Sequence, residues 1–101
     1  MERYTTRTID ELWRIVLPSD IRKKFELEPG VKLSMTVMET IAILHRGIDT
    51  SAPVCAVCEV SDLGTIELPS EMRQRLAWKV KDRIAFYNTD YVIFMKLAEN
   101  E

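Results

Sequence analysis

The sequence predicts a mainly β fold with short helices (α+β), in which two related units share one core around a pseudo-two-fold axis. Three observations support this prediction. The chain aligns with itself when it is shifted by 51 residues, apolar and polar residues alternate in several segments, and a proline follows the same predicted strand in each copy. With 101 residues, 47% hydrophobic and 30% charged, the chain has the composition of a globular protein.

The repeat is clearest where the segment from Leu12 to Arg22 lies without a gap over the segment from Leu63 to Arg73. Six positions carry the same residue in both segments, including the run Leu-Pro-Ser. The predicted parts of the chain are copy one (1–46), a linker (47–53) and copy two (54–101).

Each copy contains the same predicted strand–helix pair. The strands are residues 14–17 and 65–68. A proline follows each strand and suits the first position of a helix, where its missing N–H is not needed. Pro29 and Gly30 predict the end of the first helix, and Trp78 is expected to anchor the exit of the second.

A β-hairpin is predicted after each helix, because apolar residues recur at every second position in residues 31–37 and again around Ile84 and Phe86. A further strand is predicted in copy two at residues 54–60. The predicted turns are 38–40 and 88–90, and the predicted returning strands are 41–45 and 91–96.

A unit of about 45 residues buries too little apolar surface to be stable alone. The two copies must therefore share a core, either within one chain or with a second chain, and the sequence leaves both arrangements open. We expect the strands to interleave in a small closed or nearly closed β-barrel, because closure removes exposed strand edges.

The charge distribution favours copy one as the part that binds an anion. The net charge of −2 counts against DNA binding, yet residues 3–32 hold seven basic and five acidic side chains. No run of 18 apolar residues is present, and the polar start lacks the apolar segment of a signal peptide. We therefore expect a cytoplasmic protein that does not associate with membranes.

Cys55 and Cys58 have the C-x-x-C spacing of redox pairs and zinc sites. A zinc site needs about four ligands, and His45 is the one histidine of the chain. A redox pair is expected at the start of a helix, whereas residues 54–60 read as a strand. We predict two reduced cysteines and no metal or other cofactor, with a zinc ion bridging two chains as the alternative.

The segment Thr6-Arg-Thr-Ile-Asp-Glu-Leu-Trp-Arg-Ile-Val-Leu-Pro-Ser-Asp-Ile-Arg-Lys-Lys24 resembles the AbrB/SpoVT/MazE swapped-hairpin family. That family has a basic residue, the pattern V-D-x-x-G-R-[VI]-x-[IVL]-P, and then a short helix rich in arginine. The resemblance is close over residues 5–46 and loose over 58–97. The tandem arrangement is similar to that of MraZ-like proteins, although this chain is shorter and its linker lacks their helices.

The resemblance implies that basic residues around the first strand and on the helix bind double-stranded DNA, as in a transcriptional regulator. We therefore expect copy one to contact DNA and copy two, where Cys58, Thr65 and Gln74 replace three of these residues, to complete the fold. A homodimer or higher oligomer would supply the paired basic faces that the family uses. By position in this sequence, the implied DNA-binding residues are Arg7, Arg14, Arg22, Lys23 and, beside them, Lys24.

Simpler interpretations exist for two of these features. The basic residues could form a solvated face, with Asp10 paired to Arg14 and Asp20 paired to Lys24. Trp13 stands where the family has a glycine, so we expect a reshaped loop, with Trp13 packed over the core rather than wedged into DNA.

The alternative function is a protein-interaction module, either antitoxin-like or a modulator of an AbrB-like partner, that does not itself bind DNA. The net negative charge and the loss of basic residues from copy two favour it. We do not expect an enzyme, because Ser19 and Ser70 are predicted helix caps and no histidine–carboxylate pair is available to activate both.

Overall fold

In the computed structural model of the protein, residues 3–48 and 56–98 are described. Most of the predicted linker, and Cys55 with it, lies outside these residues. Copy one contains strands β1 (Arg3–Thr8) and β2 (Arg14–Val16), helix α1 (Ser19–Lys24), and strands β3 (Lys32–Met38) and β4 (Ile41–Arg46). Copy two contains strands β5 (Ala56–Glu59) and β6 (Thr65–Glu67), helix α2 (Ser70–Leu76), and strands β7 (Arg83–Asn88) and β8 (Ile93–Leu97).

The strands of the two copies pair with each other. Six of them form one antiparallel sheet in the order β1-β7-β8-β4-β3-β5, and β2 pairs with β6 in a separate two-stranded ribbon. The first strand of each copy lies on the hairpin of the other copy, so that β1 pairs with β7 and β5 pairs with β3. Exchanging the two copies leaves this strand order unchanged, which gives the described chain a pseudo-two-fold axis between β4 and β8 and between β2 and β6.

One hydrophobic core follows from this exchange. Among the described residues, nine pairs of core side chains are related by the shift of 51 residues, for example Ile15 with Ile66 and Met35 with Phe86. Five of these pairs lie on strands, where alternation directs their side chains inward and a register shift of one residue would turn them outward. The core is therefore built equally from both copies, and the two copies pair within one chain.

The described strands form an open six-stranded sheet and a separate ribbon, and they do not form the closed barrel that we expected. Strands β1 and β5 lie at opposite ends of the six-stranded sheet and do not pair with each other. The mainly β composition and the antiparallel pairing agree with the prediction, whereas β1 was not predicted. The boundaries of the two copies remain a sequence prediction.

Helix α1 ends earlier than the sequence suggested, whereas α2 ends just before the buried Trp78, which was expected to anchor its exit. Helix α1 ends at Lys24, before Pro29 and Gly30, and Glu26 follows in the left-handed backbone region with φ 53°. At the equivalent position, Ala77 ends α2 with φ 57°. Neither helix start has a side-chain capping hydrogen bond, so the prediction that Ser19 and Ser70 act as caps was wrong.

The aromatic residues and Cys58 occupy defined places in the core. Trp78 and Phe86 are buried, Phe25 and Trp13 pack against the core from its edge, and Phe94 is only half-buried. Burial raises the pKa of the Cys58 thiol to about 11, which keeps it protonated at neutral pH. Within residues 3–48 and 56–98, no helix is long and apolar enough to span a membrane.

Because each copy completes the sheet of the other, the isolated copies should not fold as monomers. We expect fragments 1–48 and 49–101 to show no cooperative thermal transition when each is monomeric, and to regain β-sheet circular dichroism when they are mixed. Any folding of one fragment alone should require self-association, and its Tm should then rise with protein concentration. A monomeric fragment with a concentration-independent transition would contradict the shared core.

Candidate nucleic-acid interface

The ribbon of β2 and β6 lies on the pseudo-two-fold axis and has one face toward the core and one face outward. Ile15 and Ile66 lie opposite each other and face the core. The residues on either side of them in sequence point the other way, because side chains alternate along a strand. The outward face of the ribbon therefore carries Arg14, Val16, Thr65 and Glu67, with Arg14 opposite Glu67 and Val16 opposite Thr65.

Arg14 is held by the turn that precedes it. One carboxylate oxygen of Asp10 accepts hydrogen bonds from the backbone N–H groups of Leu12 and Arg14, each at 2.9 Å, and the other accepts one from Arg14 Nε at 2.9 Å. These donors lower the pKa of Asp10 below its usual value of 3.8, chiefly through the Arg14 backbone N–H. The predicted Asp10–Arg14 pair is thus confirmed, and the Arg14 side chain is 41% exposed.

Copy two builds the same turn without charge. Ser61 Oγ accepts from the N–H groups of Leu63 and Thr65, at 3.2 and 3.1 Å, and lies 2.7 Å from Thr65 Oγ1. Ser61 Oγ therefore takes the place of the Asp10 carboxylate as the acceptor of this turn, and Thr65 takes the place of Arg14. The two ends of the ribbon share a backbone design and differ in charge.

Arg22 of α1 extends across to the other copy. Its Nε donates to the Leu17 carbonyl at 3.0 Å, and its guanidinium lies over Gly64. A Cβ at Gly64 would stand only 2.6 Å from Arg22 Nη1, so the absence of a side chain there makes room for the arginine. Gly64 also has φ +75°, a backbone conformation that favours glycine.

Trp13 occupies the position equivalent to Gly64, with φ 61°. The loop is therefore not reshaped as we predicted, and a non-glycine residue adopts a conformation that costs roughly 1–2 kcal/mol. The expected packing of Trp13 against the core is confirmed. Because its side chain fills the space that Gly64 leaves open, Arg73 stacks on the indole ring, 4.3 Å from its centroid.

The remaining predicted residues differ in their surroundings. Arg7 lies opposite the buried Ile84, is half-buried, and donates to Thr5 Oγ1 at 3.1 Å and to the Thr6 carbonyl at 3.2 Å. Lys23 is exposed and forms no ion pair with any residue in the described ranges. Lys24 pairs with Asp90 at 3.2 Å and not, as predicted, with Asp20.

The predicted residues do not form one continuous cluster. Arg14 lies at the end of the ribbon that meets α2, whereas Arg22 and Lys23 lie on α1, beside the Gly64 loop of the opposite end. A groove of about 340 Å³ beside α1 also contains the carboxylates of Glu26 and Glu28, which reduce its positive potential.

Sequence reasoning missed two features of this surface. Leu12 and Leu63 occupy equivalent turns and are 63% and 75% exposed, which is unusual for leucine. The stacking of Arg73 on Trp13 was also missed, because the two residues are sixty positions apart and meet only through the strand exchange. The sequence signal available for Arg73 was the shift of 51 residues, which makes it the counterpart of Arg22.

The contact between Arg22 and Gly64 can be tested with a matched pair of glycine substitutions. We expect Gly64→Ala to destabilise the fold by roughly 2–3 kcal/mol, from positive-φ strain and the loss of the Arg22–Leu17 hydrogen bond. Gly30→Ala, where φ is +91° and no atom lies within 4 Å, should cost only the strain, roughly 1–2 kcal/mol. In an Arg22→Ala background the two costs should become equal in urea unfolding, and a difference that persists would contradict the contact.

The lowered pKa of Asp10 predicts a pH-dependent contribution to stability. Because its pKa is lower in the folded chain, Asp10 stabilises the fold above its usual pKa of 3.8, and this contribution disappears as the pH falls through the folded value. We expect the stability difference between the wild type and Asp10→Asn to shrink as the pH is lowered from about 5 to about 2 in thermal unfolding.

The control for this experiment is Ser61→Ala, which removes the equivalent acceptor without removing a titratable group. Its effect on stability should stay constant over the same pH range. A difference between wild type and Asp10→Asn that does not change with pH would show that the carboxylate is not linked to folding through its proton.

Comparison with known proteins supports the fold. No family model matches the chain, and no match is found among curated proteins. Among solved structures, the chain is similar to the solution structure of PHS018 from Pyrococcus horikoshii, with a TM-score of 0.52 and 18% sequence identity. The alignment covers 93% of this chain and 86% of that one, and at this identity it shows likeness of fold alone.

Proposed function

We propose that the protein is a cytoplasmic, sequence-selective DNA-binding regulator that contacts double-stranded DNA with the outward face of the β2–β6 ribbon and with α1. The observation that carries the proposal is the position of Arg14, which lies on the outward face of the ribbon at one of its ends and is oriented by Asp10. A two-stranded ribbon can enter the major groove, and an oriented arginine can form paired hydrogen bonds with guanine or phosphate.

The ion pairs of these residues are compatible with DNA binding. Exposed pairs such as Arg14–Asp10 and Lys24–Asp90 contribute about 0–1 kcal/mol, so a phosphate can replace the carboxylate at small cost. Arg14 donates to Asp10 only through Nε, which leaves both Nη groups for a ligand. Lys23 is exposed and without a described partner, so it adds an unpaired charge on α1.

The resemblance to the AbrB/SpoVT/MazE family supports the same proposal. In a tandem member of that family, the first strand of each copy would lie on the hairpin of the other, as β1 and β5 do here. Copy two lacks the basic residues equivalent to Arg14 and Lys23, so one chain offers each of these charges once, at opposite ends of the ribbon. We therefore include in the proposal a homodimer that brings two ribbons to one duplex.

A protein-interaction module is the second candidate, and the exposed leucines favour it. Leu12 and Leu63 project from equivalent turns at the two ends of the ribbon, and Val16 on the ribbon is 41% exposed. Apolar side chains gathered on one surface are typical of protein interfaces. In this alternative, the same ribbon binds a protein partner and its balanced charge excludes DNA.

The DNA proposal is tested by selecting fragments from a random duplex library and measuring fluorescence anisotropy at two salt concentrations. We expect binding that weakens steeply with salt, because phosphate contacts release counterions. Arg14→Ala should weaken binding to the selected duplex by about tenfold, as expected for the loss of one bidentate contact of 1–3 kcal/mol.

Lys96→Ala is the matched control, because Lys96 is an exposed cation on β8 of the six-stranded sheet. It should leave affinity nearly unchanged. If no duplex binds in a salt-dependent way, or if Arg14→Ala and Lys96→Ala behave alike, the DNA proposal fails and the protein-interaction module becomes the better explanation of this surface.

A further inference from the structure

A groove at the α2 end of the ribbon combines both tryptophans of the chain with unpaired cations. Its volume is about 370 Å³, which is in the range of pockets that hold small molecules. Trp13 and Trp78 are the aromatic residues that line it. The lining residues are Trp13, Ser70, Arg73, Gln74, Ala77, Trp78 and Lys79.

Arg73 is the distinctive group of this groove. Its guanidinium stacks on Trp13, and its Nε is fully buried with no hydrogen-bond partner. Neither Arg73 nor Lys79 forms a side-chain ion pair within residues 3–48 and 56–98. The nearby Asp82 carboxylate accepts the Lys79 backbone N–H at 2.8 Å. Two cations therefore line an apolar groove without a described counter-ion.

The equivalent groove of copy one is an internal comparison. There Arg22 donates its Nε to the Leu17 carbonyl and lies over Gly64, so the N–H group that has no partner in Arg73 is satisfied in Arg22. Glu28 stands where the second groove has Lys79, and Leu27 stands in place of Trp78. Only the copy-two groove combines aromatic walls with unpaired positive charge.

The cause of this difference is the tryptophan at the glycine position. The Cβ of Trp13 excludes Arg73 from the place that Arg22 takes over Gly64, so Arg73 cannot use the equivalent carbonyl and rests on the indole ring. The Arg73 Nε is inaccessible from the groove, so an anion there would bind the terminal Nη groups and compensate the charge of the half-buried guanidinium. The surrounding walls are apolar, which favours a lightly hydrated anion with a hydrocarbon body over a free phosphate.

We propose that this groove binds a small organic carboxylate, with its carboxylate on Arg73 and Lys79 and its apolar body against Trp13 and Trp78. The site is distinct from the proposed DNA-contacting residues and does not depend on DNA binding. It would make the protein a binder of an anionic metabolite or of the carboxylate end of a peptide, which share this chemistry.

The test uses the full chain and the fluorescence of its two tryptophans, both of which line the groove. Titration with hexanoate should change the emission and shift both indole N–H signals in NMR spectra, whereas hexanamide and inorganic phosphate should not. Arg73→Gln should weaken hexanoate binding about tenfold, as should Lys79→Gln, because each removes one charge-assisted contact.

Arg75→Gln is the matched control, since Arg75 lies on the same helix, pairs with Glu71, and does not line the groove. It should leave hexanoate binding unchanged. If Arg73→Gln fails to fold, the exposed Lys79→Gln decides the matter. Equal responses to hexanoate and hexanamide, equal binding of phosphate, equal losses in Arg75→Gln and Lys79→Gln, or unmoved indole signals would each overturn the proposal.

A short peptide ending in leucine, compared with its C-terminal amide, separates the two sources of the carboxylate. Binding of hexanoate together with the free-acid peptide would indicate a groove open to chain ends. Binding of hexanoate without either peptide would indicate a small-molecule site. Both results support the carboxylate site and identify its natural class of ligand.

Discussion

The exchange of the first strand between the two copies is the constraint on which the rest of the structure depends. With β1 on β7 and β5 on β3, neither hairpin completes a sheet with strands of its own copy. Both copies are therefore needed to bury the apolar surface, and core residues such as Ile15 and Ile66 meet across the axis. A substitution in one copy affects residues of the other copy that pack against it, so the two sequences can differ only where the shared core still packs.

That freedom is greatest at the ends of the ribbon, where the loop of one copy meets the helix of the other. The backbones at Trp13 and Gly64 are alike, with left-handed φ in both and equivalent hydrogen bonds to Leu68 and Leu17. With Gly64 at this position, Arg22 donates to the Leu17 carbonyl, whereas with Trp13 the equivalent Arg73 stacks on the indole ring. Two ends with one backbone design thus acquire different chemistry from a few side-chain replacements, without loss of the fold.

Local patterns predicted the local structure, and the long-range pairing could not be predicted in the same way. Alternation and proline placement located the hairpins and helices, and the four-residue spacing of Asp10 and Arg14 predicted their ion pair. The strand order and the partner of Lys24, which is Asp90, depend on which edges meet in three dimensions. The threonine-rich β1 has little apolar alternation, yet the shift of 51 residues from the predicted strand 54–60 would have located it.

The distribution of positive charge at the two ends of the ribbon limits what its surface can bind. Trp13 and Arg14 are consecutive, and the Trp13 carbonyl accepts the Leu68 N–H at 2.8 Å where the ribbon ends. A carboxylate on Arg73 and a phosphate on Arg14 would therefore lie at the same end of the ribbon and repel each other. Linkage requires the repulsion to act equally in both directions, so an anion in the groove would weaken DNA binding as much as DNA weakens the anion. Because Trp13 lines the groove and Arg14 follows it in the chain, the two proposed sites are coupled by the repulsion between their ligands.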